Sequence, residues 1–153
     1  MPDVARVSPE EAHQKMTSEG YVYVDVRTQA EFESGHPAGA YNVPFMLASA
    51  GGMLANPDFV QVVTARFALD AKIVVGCKSG QRSARAAQAL ALAGFTAVLD
   101  QRAGFSGATT PFGQVKEKGW LALGLPSEEG SPSERAYAAL TDSSRDRNRP
   151  QPR

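Results

Sequence analysis

The chain has 153 residues, with 16 basic and 16 acidic side chains and a formal net charge of zero. This length favours a single domain, and a hydrophobic fraction of 42 % excludes a wholly disordered chain. Balanced charge removes the long-range field that draws basic proteins to nucleic acid or to anionic membranes. We therefore expect no nucleic-acid partner and no membrane partner.

The only cysteine of the chain, Cys77, cannot form an intrachain disulfide, which favours a reducing compartment. The segment Met1 to Met16 is polar and charged and lacks the apolar centre of a signal peptide. The chain contains no run of about 18 apolar residues, which is the length needed to span a bilayer. The sequence thus predicts a cytoplasmic protein.

Predicted helices and strands alternate along the chain. The strand segments are rich in β-branched residues, and the helix starts carry capping boxes or a cap followed by proline. In chain order they are a helix opened by Ser8 and Glu11, a strand at Tyr21–Val26, a helix opened by Thr28 and Glu31, a helix from Asn56 to about Phe67, a strand at Lys72–Gly76, a helix at Arg82–Ala93 and a strand at Thr96–Leu99. This alternation predicts an α/β fold with a mostly parallel sheet covered on both faces.

The composition changes after Pro126. Residues 127–153 are rich in Ser, Pro, Glu and Arg, which is typical of flexible segments. We therefore predict one domain at residues 1–126 and a flexible polar tail at 127–153, with a short helix at 133–140.

The loop after the strand Lys72–Gly76 is the candidate site. It contains Cys77, Lys78, Ser79, Gly80, Gln81 and Arg82, and a predicted helix follows. A loop between a strand and a helix start can aim several backbone N–H groups into one concavity, to which the helix dipole adds positive charge. Cysteine thiolates are favoured at helix N-termini and beside cations. The pattern therefore predicts a nucleophilic Cys77, helped by the positive charges of Lys78 and Arg82.

Three further residues are candidates for supporting this loop. Asp25 either caps a turn or organises the site, Arg27 pairs with a carboxylate or a carbonyl, and Ser83, like Ser79 of the loop, caps the following helix. A lone cysteine after a buried strand is by itself more often an inert small hydrophobe, and its neighbours favour the functional interpretation. The two histidines and one cysteine do not match a zinc spacing, so we expect no metal and no cofactor.

The motifs of the chain resemble those of single-domain rhodaneses, which are thiosulfate sulfurtransferase-like proteins. The resemblance runs from about residue 5 to residue 126 and is carried by Val24–Arg27, Glu31–Phe32, Gly35–Pro44 and Cys77–Ser83. It implies a central, mostly parallel sheet of about five strands, flanked by helices on both faces. It also implies that Cys77 is the nucleophile and that residues 78 to 82 cradle the transferred sulfur.

The resemblance further implies a persulfide mechanism. A small donor such as thiosulfate, or another persulfide source, loads sulfane sulfur onto Cys77, and cyanide or a thiol accepts it. Thioredoxin and a sulfur-carrier protein are further candidate acceptors. The acidic Glu31 stands where larger members of the family can carry an anion-binding basic residue, so we expect low affinity for thiosulfate.

Two alternatives remain open from the sequence. Cysteine phosphatases and arsenate reductases of related fold use a cysteine, five residues and an arginine, whereas four residues separate Cys77 from Arg82. A loop one residue shorter encloses less volume and favours a single sulfur over a tetrahedral oxyanion. The other alternative is a non-catalytic rhodanese-like interaction module, against which the complete loop argues.

Overall fold

The computed structural model describes residues 3–141. Its helices are α1 (Pro9–Ser18), α2 (Gln29–Ser34), α3 (Phe59–Arg66) and α4 (Gln81–Leu92). Its strands are β1 (Ala5–Val7), β2 (Val22–Asp25), β3 (His36–Pro37), β4 (Tyr41–Asn42), β5 (Met46–Ser49), β6 (Gly52–Ala55), β7 (Lys72–Gly76), β8 (Ala97–Gln101), β9 (Ala108–Thr109), β10 (Val115–Glu117) and β11 (Ser127–Glu128).

The central sheet has five strands in the order β1-β8-β7-β2-β4, and each neighbouring pair is parallel. The predicted α/β class and the parallel sheet are therefore confirmed. Asp25, the last residue of β2, lies opposite Gly76, the last residue of β7. The loops that follow these two strands consequently leave the sheet side by side, which brings residues 25 to 27 next to Cys77.

Alternate side chains of the strands bury opposite faces of the sheet, as the two-residue period of a strand requires. Val24, Ile73 and Val75 pack with residues of α3 and α4 in one hydrophobic cluster. Tyr23 and Val74 point the other way and pack in a second cluster, which includes Phe32 of α2 and the fully buried Trp120. Helices thus cover both faces of the sheet, and the site lies at the sheet edge between the two clusters.

The helix starts follow their local capping chemistry. Both predicted capping boxes are present, at Ser8 and at Thr28. The third helix begins later than the sequence indicates, because the Asn56 side chain accepts a hydrogen bond from the N–H of Asp58 at 3.0 Å and α3 starts at Phe59. The cap of α4 is Gly80, with no side-chain capping bond, so the prediction that Ser79 and Ser83 cap this helix is wrong.

Two antiparallel hairpins project from the domain. The first, formed by β5 and β6, carries the half-exposed Met53 and the exposed Leu54. The second, formed by β9 and β10, carries Phe112 in its turn, where the ring is 92 % exposed.

The segment at residues 127–141 packs onto the domain, so the prediction of a flexible tail starting at residue 127 is wrong for this part. Its strand β11 pairs with β3, and the side chain of Leu140 is buried against the α3 and α4 cluster. The Nε2 atom of His36 lies 3.0 Å from the Glu128 carboxylate, and the Asn56 side chain donates a hydrogen bond to the Tyr137 hydroxyl. The chain is helical over residues 137–141, later than the predicted helix at 133–140. The rest of the predicted tail, residues 142–153, lies outside the described residues.

None of the helices at residues 3–141 combines the length and the apolar character needed to cross a bilayer.

Candidate active site

The loop that connects β7 to α4 carries the candidate nucleophile. We call residues 77–82 the sulfur loop. Cys77 directly follows the buried end of β7, and its side chain is 2 % exposed. The backbone N–H of Gly80 donates to its Sγ at 3.1 Å, and the N–H of Ser83 donates at 3.3 Å. The Ser83 hydroxyl lies 3.4 Å from the same sulfur. Three polar groups thus converge on a sulfur atom that is largely shielded from solvent.

The conformation of Gly80 makes this convergence possible. Its φ angle is +99°, in the left-handed region that side-chain-bearing residues rarely adopt. A Cβ atom at this position would lie 2.1 Å from the carbonyl oxygen of Arg102. Only glycine therefore fits here without displacing the neighbouring loop.

The segment after β8 supports the sulfur loop from behind. The N–H of Phe105 donates to the carbonyl of Cys77 at 2.8 Å, and the N–H of Ser106 donates to the carbonyl of Lys78 at 2.9 Å. Gly104 allows this close approach, since a Cβ atom there would lie 2.4 Å from the backbone of Lys78. The carbonyls of the loop are thus held on one side while its N–H groups face the sulfur.

Arg82 pairs with Glu31 at the rim of the site. Its two terminal nitrogens donate to the two carboxylate oxygens at 2.7 and 3.0 Å. The hydrogen bond with Glu31 is the main cause of a raised Arg82 pKa, and the charges of Cys77 and Asp25 act in the same direction. Burial disfavours the Glu31 carboxylate, but hydrogen bonds from Arg82 and Thr28 outweigh this effect and lower its pKa to about 2. Both partners are therefore charged at neutral pH.

A sequence match places this arrangement in a family. The family model described as the rhodanese-like domain matches residues 8–109, which include the sulfur loop and both residues of the rim pair. The chain belongs to the rhodanese-like domain family.

Similar proteins agree with this assignment. The chain is 43 % identical over 109 residues to thiosulfate sulfurtransferase 16, chloroplastic, of Arabidopsis thaliana. The aligned region covers 71 % of this chain and 81 % of that protein. It is 42 % identical over 97 residues to rhodanese-like domain-containing protein 15, chloroplastic, of the same plant, covering 63 % of this chain and 53 % of the relative. The crystal structure of Rv0390 from M. tuberculosis superposes with a TM-score of 0.69 at 27 % identity, covering 84 % of this chain and all of that chain. These similarities agree with membership of the rhodanese-like domain family, and one of the relatives is named a thiosulfate sulfurtransferase.

A second arginine–carboxylate pair lies deeper inside the rhodanese domain. The guanidinium of Arg27 donates to both carboxylate oxygens of Asp25, with a shortest distance of 2.7 Å, and to the carbonyl of Gly35 at 2.6 Å. It also lies 4.6 Å from the ring centroid of Phe105, whose N–H holds the Cys77 carbonyl. This pair therefore supports the sulfur loop through its neighbours rather than by touching the sulfur.

The other predicted residues occupy different positions around the loop. Lys78 and Gln81 are exposed, and Ser79 is half-buried. Ser83, which the sequence places in a supporting role, lies at hydrogen-bond distance from the Cys77 sulfur. The structure therefore brings Gly80, Ser83 and Arg82 close to Cys77 or to the rim, while Lys78 and Gln81 face the solvent.

Sequence reasoning missed several contributors to this site. The ion pair of Arg82 with Glu31 joins residues 51 positions apart. The hairpin of β5 and β6 borders the rim, where the Met53 sulfur lies 3.9 Å from the Arg82 guanidinium. The glycines of the segment Gly104–Gly107 could have indicated that this segment approaches another stretch of backbone closely, because glycine is favoured where two backbones meet.

The arrangement can stabilise negative charge on sulfur. Backbone N–H groups that are fixed before the reaction stabilise an anion without reorganisation, and their effect is stronger where water is excluded. The Arg82 guanidinium can bind an anionic reactant if its bond to Glu31 opens. These are the requirements of a nucleophilic thiolate and of an anionic persulfide.

Proposed function

We propose that the protein is a sulfurtransferase that carries sulfane sulfur as a persulfide on Cys77. The observation that supports this most strongly is the pair of N–H groups, from Gly80 and Ser83, that donate to the Cys77 sulfur. An inert core cysteine needs no such donors. The name of the Arabidopsis relative, thiosulfate sulfurtransferase 16, supports thiosulfate as one donor.

The first half-reaction loads the enzyme. The Cys77 thiolate attacks the outer sulfur of thiosulfate, the sulfur–sulfur bond of the donor breaks, and sulfite leaves with the bonding electrons. The new persulfide carries the negative charge on its terminal sulfur. The sulfur loop then stabilises this anion through its backbone N–H groups.

The second half-reaction empties the enzyme. Cyanide or an acceptor thiolate attacks the terminal sulfur, the bond between the two persulfide sulfurs breaks, and the Cys77 thiolate is restored. Thiocyanate or an acceptor persulfide is the product. No external oxidant or reductant is required, and no general base is required once the thiolate is formed. A cysteine thiol of a thioredoxin or a sulfur-carrier protein could serve as the acceptor by the same chemistry.

The mass of the intact protein tests this function. Because the chain has one cysteine, a gain of one sulfur atom, about 32 Da, after incubation with thiosulfate or with a low-molecular-weight persulfide identifies Cys77 as the carrier. The Cys77→Ser variant should show no gain, and cyanide should remove the added sulfur and form thiocyanate. No gain with any donor would support a non-catalytic module, and hydrolysis of phenyl phosphate without sulfur loading would support a phosphatase.

A further inference from the structure

Asp100 is a buried carboxyl group that the mechanism above does not use. It lies on β8 between Arg6 of β1 and Val75 of β7 and is 1 % exposed. One carboxylate oxygen, Oδ2, accepts a hydrogen bond from Nε of Arg6 at 2.8 Å, whereas Oδ1 has no partner within the described part of the chain. Burial raises the pKa of this carboxyl, and Ser83 and Arg6 oppose that effect. Burying a carboxyl group with an unpartnered oxygen costs folding free energy. The contacts of Asp100 therefore indicate a role beyond packing.

Arg6 connects this carboxyl group to the sulfur loop. While Nε of its guanidinium binds Asp100, a terminal nitrogen donates to the carbonyl oxygen of Gly80 at 3.2 Å. The same carbonyl accepts the N–H of Ala84 at 3.3 Å, in the first turn of α4. The fork of the guanidinium therefore bridges a fixed point of the sheet and the residue at which the sulfur loop becomes a helix.

Gly80 is the residue whose orientation matters most for the sulfur. Its N–H donates to Cys77 Sγ, and its peptide groups on either side are linked only through the soft φ and ψ angles of a glycine. Holding its carbonyl fixes one of the two peptide groups that meet at its Cα, and so narrows the range over which the other group, which carries the N–H, can turn. A restraint on the carbonyl is therefore a restraint on the donor that faces the sulfur.

We propose that Arg6 and Asp100 form a positioning pair that holds Gly80 from outside the site and thereby sets how strongly the sulfur loop stabilises an anionic sulfur on Cys77. The reach of the pair comes from the forked shape of the guanidinium, because one nitrogen binds the carboxylate while another binds the loop. This inference rests on the proposed function for its catalytic consequence, but its effect on the thiolate itself is independent of sulfur transfer.

The Arg6→Lys variant is the central test. Lysine keeps the positive charge beside Asp100 but has a single nitrogen, so it cannot bridge Asp100 and Gly80 in the same geometry. We expect the rate constant for persulfide formation at saturating thiosulfate to fall about fivefold, with the half-saturating donor concentration changed less than about twofold. The rate of Cys77 alkylation by iodoacetamide near neutral pH, followed by intact mass, should fall by a similar factor because only the thiolate reacts.

Arg135→Lys is the matched control. Arg135 is also partly exposed and also bridges a carboxylate, that of Glu128, and a backbone carbonyl, that of Ala40, but neither partner belongs to the sulfur loop. This variant should leave both rate constants unchanged. The Asp100→Asn variant should act in the same direction as Arg6→Lys, because Arg6 then loses the carboxylate that anchors it.

The outcomes separate the two proposals. A purely structural role would lower the thermal midpoint of Arg6→Lys and leave both rate constants of the folded protein at the wild-type values, which would overturn the positioning role. If Asp100→Asn does not fold, Arg6→Lys alone decides, since the Arg6 side chain is 49 % exposed. If the wild-type protein takes up no sulfur, the proposed function fails, while the alkylation rates still test the pair.

Discussion

Two of the arginine–carboxylate pairs at the carboxyl edge of the sheet differ in their access to water. The pair of Arg27 and Asp25 is buried, whereas the side chains of Arg82 and Glu31 at the rim are 14 % and 25 % exposed. A buried charge that loses its partner cannot be hydrated. A charge at the rim can exchange its partner for water or for an anionic ligand. The same two chemical groups therefore form a fixed support in one place and an exchangeable contact in the other.

The largest effect should follow from removing Arg27. The Arg27→Met variant leaves Asp25 charged and unpaired in the interior and removes the bond to the Gly35 carbonyl, so we expect the free energy of unfolding to fall by about 3 to 5 kcal/mol. Urea denaturation followed by circular dichroism measures this change. Lys15→Met, which breaks the exposed pair of Lys15 with Glu19, is the control and should change it by less than about 1 kcal/mol. If Arg27→Met lowers the free energy of unfolding by no more than the control does, the proposed difference between the two pairs is wrong.

Removing Arg82 should affect activity more than stability. In the Arg82→Ala variant Glu31 remains accessible to water, so we expect a loss of about 1 kcal/mol or less in the free energy of unfolding. The rate of persulfide formation from thiosulfate should fall about tenfold, because one cation leaves the rim. Arg85→Ala, on the exposed side of the same helix, serves as the control in the same mass assay. Equal rates in the two variants would show that Arg82 does not bind the donor.

Neutralising Glu31 should improve the use of an anionic donor. The Glu31→Gln variant keeps the capping box at Thr28, since glutamine can replace glutamate there, but it weakens the competition for the Arg82 guanidinium. We expect the half-saturating thiosulfate concentration to fall about threefold. The control variant Glu33→Gln, on the same helix, should leave the half-saturating thiosulfate concentration unchanged. An unchanged or increased value for Glu31→Gln would mean that the carboxylate does not compete with the donor.

The smallest effect concerns the pH dependence of stability. The pKa of Glu31 is about 2 in the folded protein against an ordinary value of 4.5, so its ionisation stabilises the fold above pH 4.5 and this contribution is lost as the pH falls toward 2. The thermal midpoint of the wild type should therefore approach or fall below that of Glu31→Gln over this range. A constant difference between the two midpoints from neutral to acid pH would contradict this linkage.

The sequence predicts the sulfur loop well because its determinants are local. The strand β7, the glycine at position 80 and the alanine-rich helix α4 follow one another within 21 residues, from Lys72 to Leu92. The hydrogen bonds to the Cys77 sulfur then join residues at most six positions apart. Periodicity and capping rules describe interactions of this range.

The parts that escaped prediction depend on long-range contacts. Arg6 and Asp100 are 94 positions apart, and nothing near either residue identifies its partner. The segment at residues 127–141 has the composition of a flexible tail, yet backbone pairing with β3 and the side chains of Tyr137 and Leu140 attach it to the domain. Composition averages over such a segment and misses the few side chains that fix it.

Trp120 gives the molecule a built-in fluorescent reporter. It is the only tryptophan of the chain, its ring packs edge-to-face on Tyr23, and its indole N–H donates to the carbonyl of Pro126. An indole sealed in this way emits at shorter wavelengths than one in water. Loss of packing around α1 and α2 should therefore shift the emission to the red without any label. Because Cys77 belongs to the opposite cluster, the same spectrum can separate unfolding of one side of the sheet from chemistry on the other.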